Sequence, residues 1–220
     1  MFAAMVVVGL AAQLVGIAWL AFSGAWLGGF GLVCGGSYLY ATLRGKHVVW
    51  TRLLNDLALR GDETIVDVGC GRGAVLLLAA ARVPTGKAIG IDIWATRDQS
   101  GNAEAATRAN AELEGVADRI ELVTADMRTL PLVEASADVV VSSLAIHNVP
   151  GAAERAKAIA EIARVVKPGG RVVIVDINFT RAYAAELAAH GVDVATRGLG
   201  PRFWFGGPQV AARAVIGTKR

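Results

Sequence analysis

The pattern of hydrophobic and polar positions divides this chain at residue 43. Phe2 to Phe22 is an unbroken run of 21 residues whose one polar side chain is Gln13. A helix needs roughly 20 such residues to cross the hydrocarbon core of a bilayer. Ser23-Gly24 interrupts the run, and a second apolar stretch, Ala25 to Ala41, ends in Tyr38 and Tyr40 ahead of Arg44, Lys46 and His47. An aromatic flank followed by basic residues marks a cytoplasmic membrane boundary. The pattern predicts a tight transmembrane helical hairpin with both ends in the cytoplasm. A single span followed by an interfacial segment is the alternative, because Gly28, Gly29, Gly31, Gly35 and Gly36 weaken the second stretch as a helix. The same glycines could instead let two membrane helices pack closely. A cleaved signal peptide fits poorly, since there is no basic start and the uncharged run is too long.

From His47 the period changes. Trp50, Leu53, Leu54 and Leu57 recur at helical spacing, which predicts an amphipathic helix over 47–59 inside a linking segment, 44–60. Beyond Gly61-Asp62, strands (64–68, 87–92, 119–124, 137–142, 170–177) alternate with helices (72–82, 102–114, 152–166). A helix over 180–189 and two strands, 192–198 and 209–217, close the pattern. Near-continuous apolar strands such as Val172-Val173-Ile174-Val175 are those of a sheet buried on both faces. The expected fold is α/β: a Rossmann-like, doubly wound, mostly parallel seven-stranded sheet with helices on both faces, filling 61–220.

Charge sharpens this division. Residues 1–43 contain no charged side chain or histidine, so all 22 basic and 19 acidic residues lie in 44–220. The excess of +3 forms no basic stripe interleaved with aromatics, which argues against nucleic acid as a partner. Cys34 and Cys70 have neither metal nor disulfide spacing, and no other cluster suggests a metal. The expected setting is a membrane, the bacterial inner membrane, with residues 1–43 in the bilayer and the catalytic domain in the cytoplasm.

Candidate chemistry starts at Ile65-Val66-Asp67-Val68-Gly69-Cys70-Gly71-Arg72-Gly73. Glycines at a strand-to-helix turn let the backbone approach a ligand that a Cβ would push away. Ligands of open parallel sheets bind at the carboxyl ends of the strands. Asp67 and Asp92 close the first two strands, Asp126 follows the third, and Ser142-Ser143 end the fourth. Gly69, Gly71 and Ala74 also satisfy a dinucleotide pattern, so a membrane-bound NAD(P)-dependent reductase is a rival reading. The carboxylate two residues before the first glycine favours a cofactor without a pyrophosphate.

Asp67-Val68-Gly69-Cys70-Gly71-Arg72-Gly73 resembles motif I of the class I S-adenosylmethionine-dependent methyltransferases. Glu161 to Arg171, with its Pro168-Gly169-Gly170 turn, resembles the late helix, turn and strand of the same family. The likeness covers about Gly61 to Val175. It implies that Asp67 and the backbone at Gly69, Cys70, Gly71 and Gly73 hold the methionine end of S-adenosylmethionine. By the same resemblance Asp92 takes the ribose hydroxyls, Ile93 packs on the adenine, Asp126 and the Met127 N–H meet its edge, and Ser142 lies near the transferred methyl.

The acceptor side departs from the family pattern. The connection after Asp92 is long, and Trp94, Gln99, Ser100 and Asn102 within it could cover cofactor or touch a small-molecule acceptor; a capped loop is the plain alternative. His147, after the fourth strand, is a candidate general base or a structural turn residue. Trp204, in the run Arg202-Phe203-Trp204-Phe205, could wall a hydrophobic pocket, dip into the membrane surface or sit in a buried turn. The expected activity is methyl transfer to a small, lipophilic acceptor. An inactive cofactor-binding scaffold is the non-enzyme rival.

Overall fold

The computed structural model describes residues 2–97 and 101–220. Gln99 and Ser100 lie outside the described residues. The chain opens with one helix, α1 (Phe2–Tyr40), which continues through a single wider turn of π-helix, Ala41–Gly45, into α2 (Lys46–Asp56). This replaces the expected hairpin. Ser23 does not break the helix because its hydroxyl donates to the Leu20 carbonyl at 3.1 Å, satisfying it within the turn. Ser37 does the same with Cys34 at 3.0 Å. No proline interrupts the run, and each glycine costs about 1 kcal/mol rather than ending the helix. A Cβ at Gly28, Gly29, Gly31, Gly35 or Gly36 would meet nothing within 4 Å, so they pack against no second helix. Trp19, Leu20, Trp26, Leu27 and Leu32 are all two-thirds or more exposed. Among the described residues, one helix is long and apolar enough to cross a membrane.

Beyond α2 come β1 (Thr64–Val68), α3 (Ala74–Ala80), β2 (Lys87–Asp92), α4 (Glu104–Leu113), β3 (Ile120–Thr124) and β4 (Ala137–Ser143). Then follow α5 (Ala152–Val165), β5 (Val166–Asp176), α6 (Thr180–Ala189), β6 (Val192–Gly198) and β7 (Arg213–Lys219). The seven strands lie in the order β3-β2-β1-β4-β5-β7-β6, all parallel except β7, which is antiparallel to both its neighbours. The strand order reverses between β1 and β4, and a crevice for a ligand opens at such a switch point. Two boundaries differ from expectation. Pro168-Gly169-Gly170 is a bulge inside β5 rather than a turn before it, with the register against β4 shifting between Ala137 and Val139. The last strand starts at Arg213 because Pro208–Val210 winds into a short 3-10 turn.

Alternate strand residues fill two cores, as period-two side chains must. On one face Val66, Val68, Val172 and Ile174 pack with Ile159 and Ile162 of α5 and Tyr183 and Leu187 of α6. On the other Ile65, Val139, Val141 and Val173 pack with Val75 of α3 and with Trp50, Leu53 and Leu54 of α2. The segment read as a linker is therefore part of the globular core: Trp50 is fully buried, and its indole N–H donates to Ser143 Oγ at 2.9 Å.

The helix is seated by a close contact. A Cβ added to Gly45 would collide with the backbone carbonyl of Arg202, in the 3-10 turn Pro201–Phe203. Backbone cannot step aside as a side chain tip can. Gly45→Ala is expected to cost about 1–3 kcal/mol through overpacking, read as a fall in the thermal midpoint of several degrees. An unchanged midpoint would show that the helix is not held at this point.

Candidate functional site

A cavity of about 400 Å³ lies over the carboxyl ends of β1, β2 and β4. Its floor is the glycine turn after β1. Gly69, Gly71 and Gly73 all adopt positive φ (76°, 51° and 89°), so the chain turns sharply before entering α3. At Gly69 a Cβ would also strike the Ala145 methyl, across the gap between the turn and the end of β4. Only glycine fits there.

Asp67 sits behind this floor, 1% exposed, and neither carboxylate oxygen has a hydrogen-bond partner. Burial pushes its carboxyl up to about 7, with Asp92 adding to the rise and the Lys46 ammonium opposing it. An orphaned buried carboxylate is costly unless something cationic comes to it. Cys70 lines the floor but is not a reactive thiol, because burial and the charges of Asp67 and Asp92 push its ionisation far up.

Asp92 ends β2 and holds the turn in place. It accepts from the Gly71 N–H at 2.8 Å, the Trp94 N–H at 2.6 Å and Asn102 Nδ2 at 3.2 Å. Asn102 Oδ1 is buried without a partner, a second unused acceptor beside the cavity. Ile93 lines the same side and is 57% exposed, high for an isoleucine that has only water to face. Asp126 and Met127 border it from the loop after β3. Arg128 grips the Asp126 carboxylate from Nε and NH2, at 2.6 Å from the latter, and reaches Glu154 at 2.8 Å; this holds Asp126 below the usual carboxylate range.

Six expected residues among those described do not border the cavity: Asp67 and Gly73, which lie behind the glycine turn, and Ser142, His147, Trp94 and Trp204. Ser142 points away and donates to the Val68 carbonyl at 2.7 Å; its neighbour Ser143 lines the wall instead. His147 lies behind the wall, its Nδ1 2.6 Å from Asp176 Oδ1 but out of line for a hydrogen bond. Its backbone N–H donates to the same carboxylate at 3.1 Å. Trp94 turns back at φ 58° and donates from its indole to Thr124 Oγ1 at 2.8 Å. Trp204 pairs with Ala211 in a two-residue bridge, and Phe205 is the aromatic that reaches the cavity. In an extended pair successive side chains alternate, so one of two neighbours must face away.

The remaining wall comes from an unexpected source. Tyr38, Thr42 and Lys46, four residues apart along the continuous helix, line the cavity together with Leu144, Ala145, Asn148, Val149 and Pro150. Tyr38 meets Phe205 edge to face, ring centres 6.2 Å apart. The sequence carried a signal for this face. Polar residues at i, i+4 and i+8 near the end of an otherwise apolar helix need somewhere to point.

This fold, motif and crevice define a class I S-adenosylmethionine-dependent methyltransferase domain. Residues 66–174 match the family described as Methyltransferase domain. The chain is similar to demethylmenaquinone methyltransferase of Staphylococcus aureus, 32% identical over 135 residues, covering 60% of this chain and 51% of that one. It thus spans about half the length of that curated relative. Among solved structures, geranyl diphosphate methyltransferase in complex with SAM superposes with a TM-score of 0.64 at 16% identity, covering 79% of this chain and 85% of that one. The cyclase SpnF has the same fold, at a TM-score of 0.61 and 18% identity over 77% of this chain and 81% of its own. The family match removes the nicotinamide-dependent rival.

Proposed function

We propose that this chain is a membrane-anchored enzyme that methylates a small lipophilic acceptor. The observation that carries the reading is the shared wall: the helix whose apolar length suits a bilayer ends as one side of the cavity. Tyr38 and Phe205 stand at that side, and Leu144, Val149 and Pro150 add further apolar lining. A surface of this kind suits an acceptor that partitions into the membrane and discourages water.

The residues fit the cofactor of the class. Asn102, whose Oδ1 has no partner, borders a crevice whose floor admits no Cβ at Gly69, and the buried Asp67 carboxylate lies behind that floor. When bound, S-adenosylmethionine supplies an activated methyl group on a sulfonium. Asp92 would accept the ribose hydroxyls, Ile93 would cover one face of the adenine, and Asp126 with the Met127 N–H would meet its edge. Gly69, Cys70 and Gly71 would carry the methionine end, leaving the methyl directed toward Ser143, Asn148 and the Tyr38 wall. Transfer then needs in-line placement of the acceptor at about 3–3.5 Å. His147 is given no proton-abstracting role, because it lies outside the cavity and against Asp176.

Incubation with labelled S-adenosylmethionine and a bacterial membrane extract is expected to label a lipid-soluble product. Label confined to water-soluble metabolites would end the lipophilic part of the reading. Tight cofactor binding with no labelled product in any fraction would favour a scaffold. As a check on the site, Asp92→Ala is expected to weaken S-adenosylhomocysteine binding by about 1–3 kcal/mol, measured by titration calorimetry. Unchanged affinity would remove Asp92 from the cofactor.

A further inference from the structure

We infer that Lys46, delivered by the helix that leads out of the apolar segment, is the residue that takes the carboxylate of the cofactor's amino-acid end. This rests on the cofactor reading above and adds a partner to it that lies outside the motif region. Lys46 begins α2 directly after the π-helical turn, and its side chain lines the cavity on the same helix face as Tyr38 and Thr42. Its ammonium makes no hydrogen bond or ion pair among the described residues, although it is half-buried and lies within reach of the charge on Asp67.

The arrangement is suited to a zwitterion. An α-amino acid presents an ammonium and a carboxylate on neighbouring atoms. Here a buried carboxylate with no hydrogen bond lies behind Gly69, and a lysine ammonium that makes no hydrogen bond lines the cavity within range of its charge. Each charge on its own is disfavoured by burial, and Lys46 is held below the usual lysine range for that reason. A ligand carrying both opposite charges relieves both groups at once, whereas a ligand with one charge relieves one and leaves the other. The remaining cations at the cavity, Arg72, Arg97 and Arg128, sit with the glycine turn, the loop after β2 and the loop after β3. Arg128 is already engaged by Asp126 and Glu154.

Calorimetry on the full chain in detergent separates this from a structural role. The probes are S-adenosylhomocysteine, its decarboxylated form, and 5′-methylthioadenosine, which lacks the amino-acid end. Lys46→Met is expected to weaken S-adenosylhomocysteine tenfold or more while changing the other two less than twofold. Lys46→Arg is expected to recover most of the loss, since a guanidinium also grips a carboxylate. The two changes, one on the protein and one on the ligand, should be non-additive. Equal losses for all three ligands would make Lys46 a packing residue, and an unchanged S-adenosylhomocysteine affinity would assign it to something else in the cavity; either overturns the inference. If the parent protein itself fails to bind S-adenosylhomocysteine, the cofactor reading falls first.

Discussion

At pH 8 and without ligand, the Asp67→Asn protein is expected to unfold at a higher temperature than its parent. The reason is the sign of the shift. Asp67 titrates near 7 when folded and near 3.9 in an unfolded chain. Between those values the unfolded chain gains its charge in water while the folded one does not. The stability contributed by the protonated carboxyl is fully present below about pH 4 and is lost as pH rises to about 7. A shift of this size corresponds to at most about 4 kcal/mol, at 1.36 kcal/mol per unit, and several degrees in the thermal midpoint. The measurement is the midpoint from pH 4 to 8 for both proteins. The parent should lose ground relative to Asp67→Asn across that window, and parallel curves would show that burial does not disturb Asp67. The same substitution should weaken S-adenosylhomocysteine about tenfold, because the cation at Gly69 loses a facing charge. In the parent at pH 6, binding should release a proton, visible as a dependence of the heat on buffer; in the variant it should not.

The second large effect concerns where the chain is cut. A protein starting at residue 33 keeps Tyr38, Thr42 and the seated turn at Gly45, and is expected to bind S-adenosylhomocysteine within twofold of the full chain. A protein starting at residue 44 loses Tyr38, Thr42 and Ala41, which is completely buried. Its cavity is open on one side, and Phe203 and Phe205 lose apolar cover worth roughly 2–3 kcal/mol. The shorter protein should melt several degrees lower and methylate the lipid-soluble fraction at least tenfold more slowly. If it matched the longer one in both, the end of α1 would contribute nothing to the cavity.

Much of the fold was legible before any coordinates, for a physical reason. Strands buried on both faces write themselves as apolar runs, and Gly69, Gly71 and Gly73 mark a turn that needs positive φ at each of them. The carboxylates that border the cavity, Asp92 and Asp126, follow from the rule that ligands sit at strand ends. The hairpin was misread because Ser23-Gly24 looks like a turn in composition, while the serine hydroxyl finds its acceptor one turn back in the same helix. Ser142 and Trp204 were misplaced by one position each, the error that a period of two makes most costly. Lys46 was hidden by distance along the chain. Asp67, whose charge reaches it, is on another element, and nothing local to residue 46 tells which way α2 crosses the sheet.

The contact between Gly45 and the Arg202 carbonyl also sets an order of assembly. One wall of the cavity comes from the end of α1 and the wall beside it from a turn near residue 205. Contacts so remote in sequence form late, after the loop between them has been closed. The sheet can begin to fold while the chain is still emerging from the ribosome, yet the cavity stays open until Phe205 has emerged and met Tyr38. A chain made only as far as β5 therefore holds its glycine turn but not a closed chamber, and is poorly able to transfer a methyl group until Phe205 is in place.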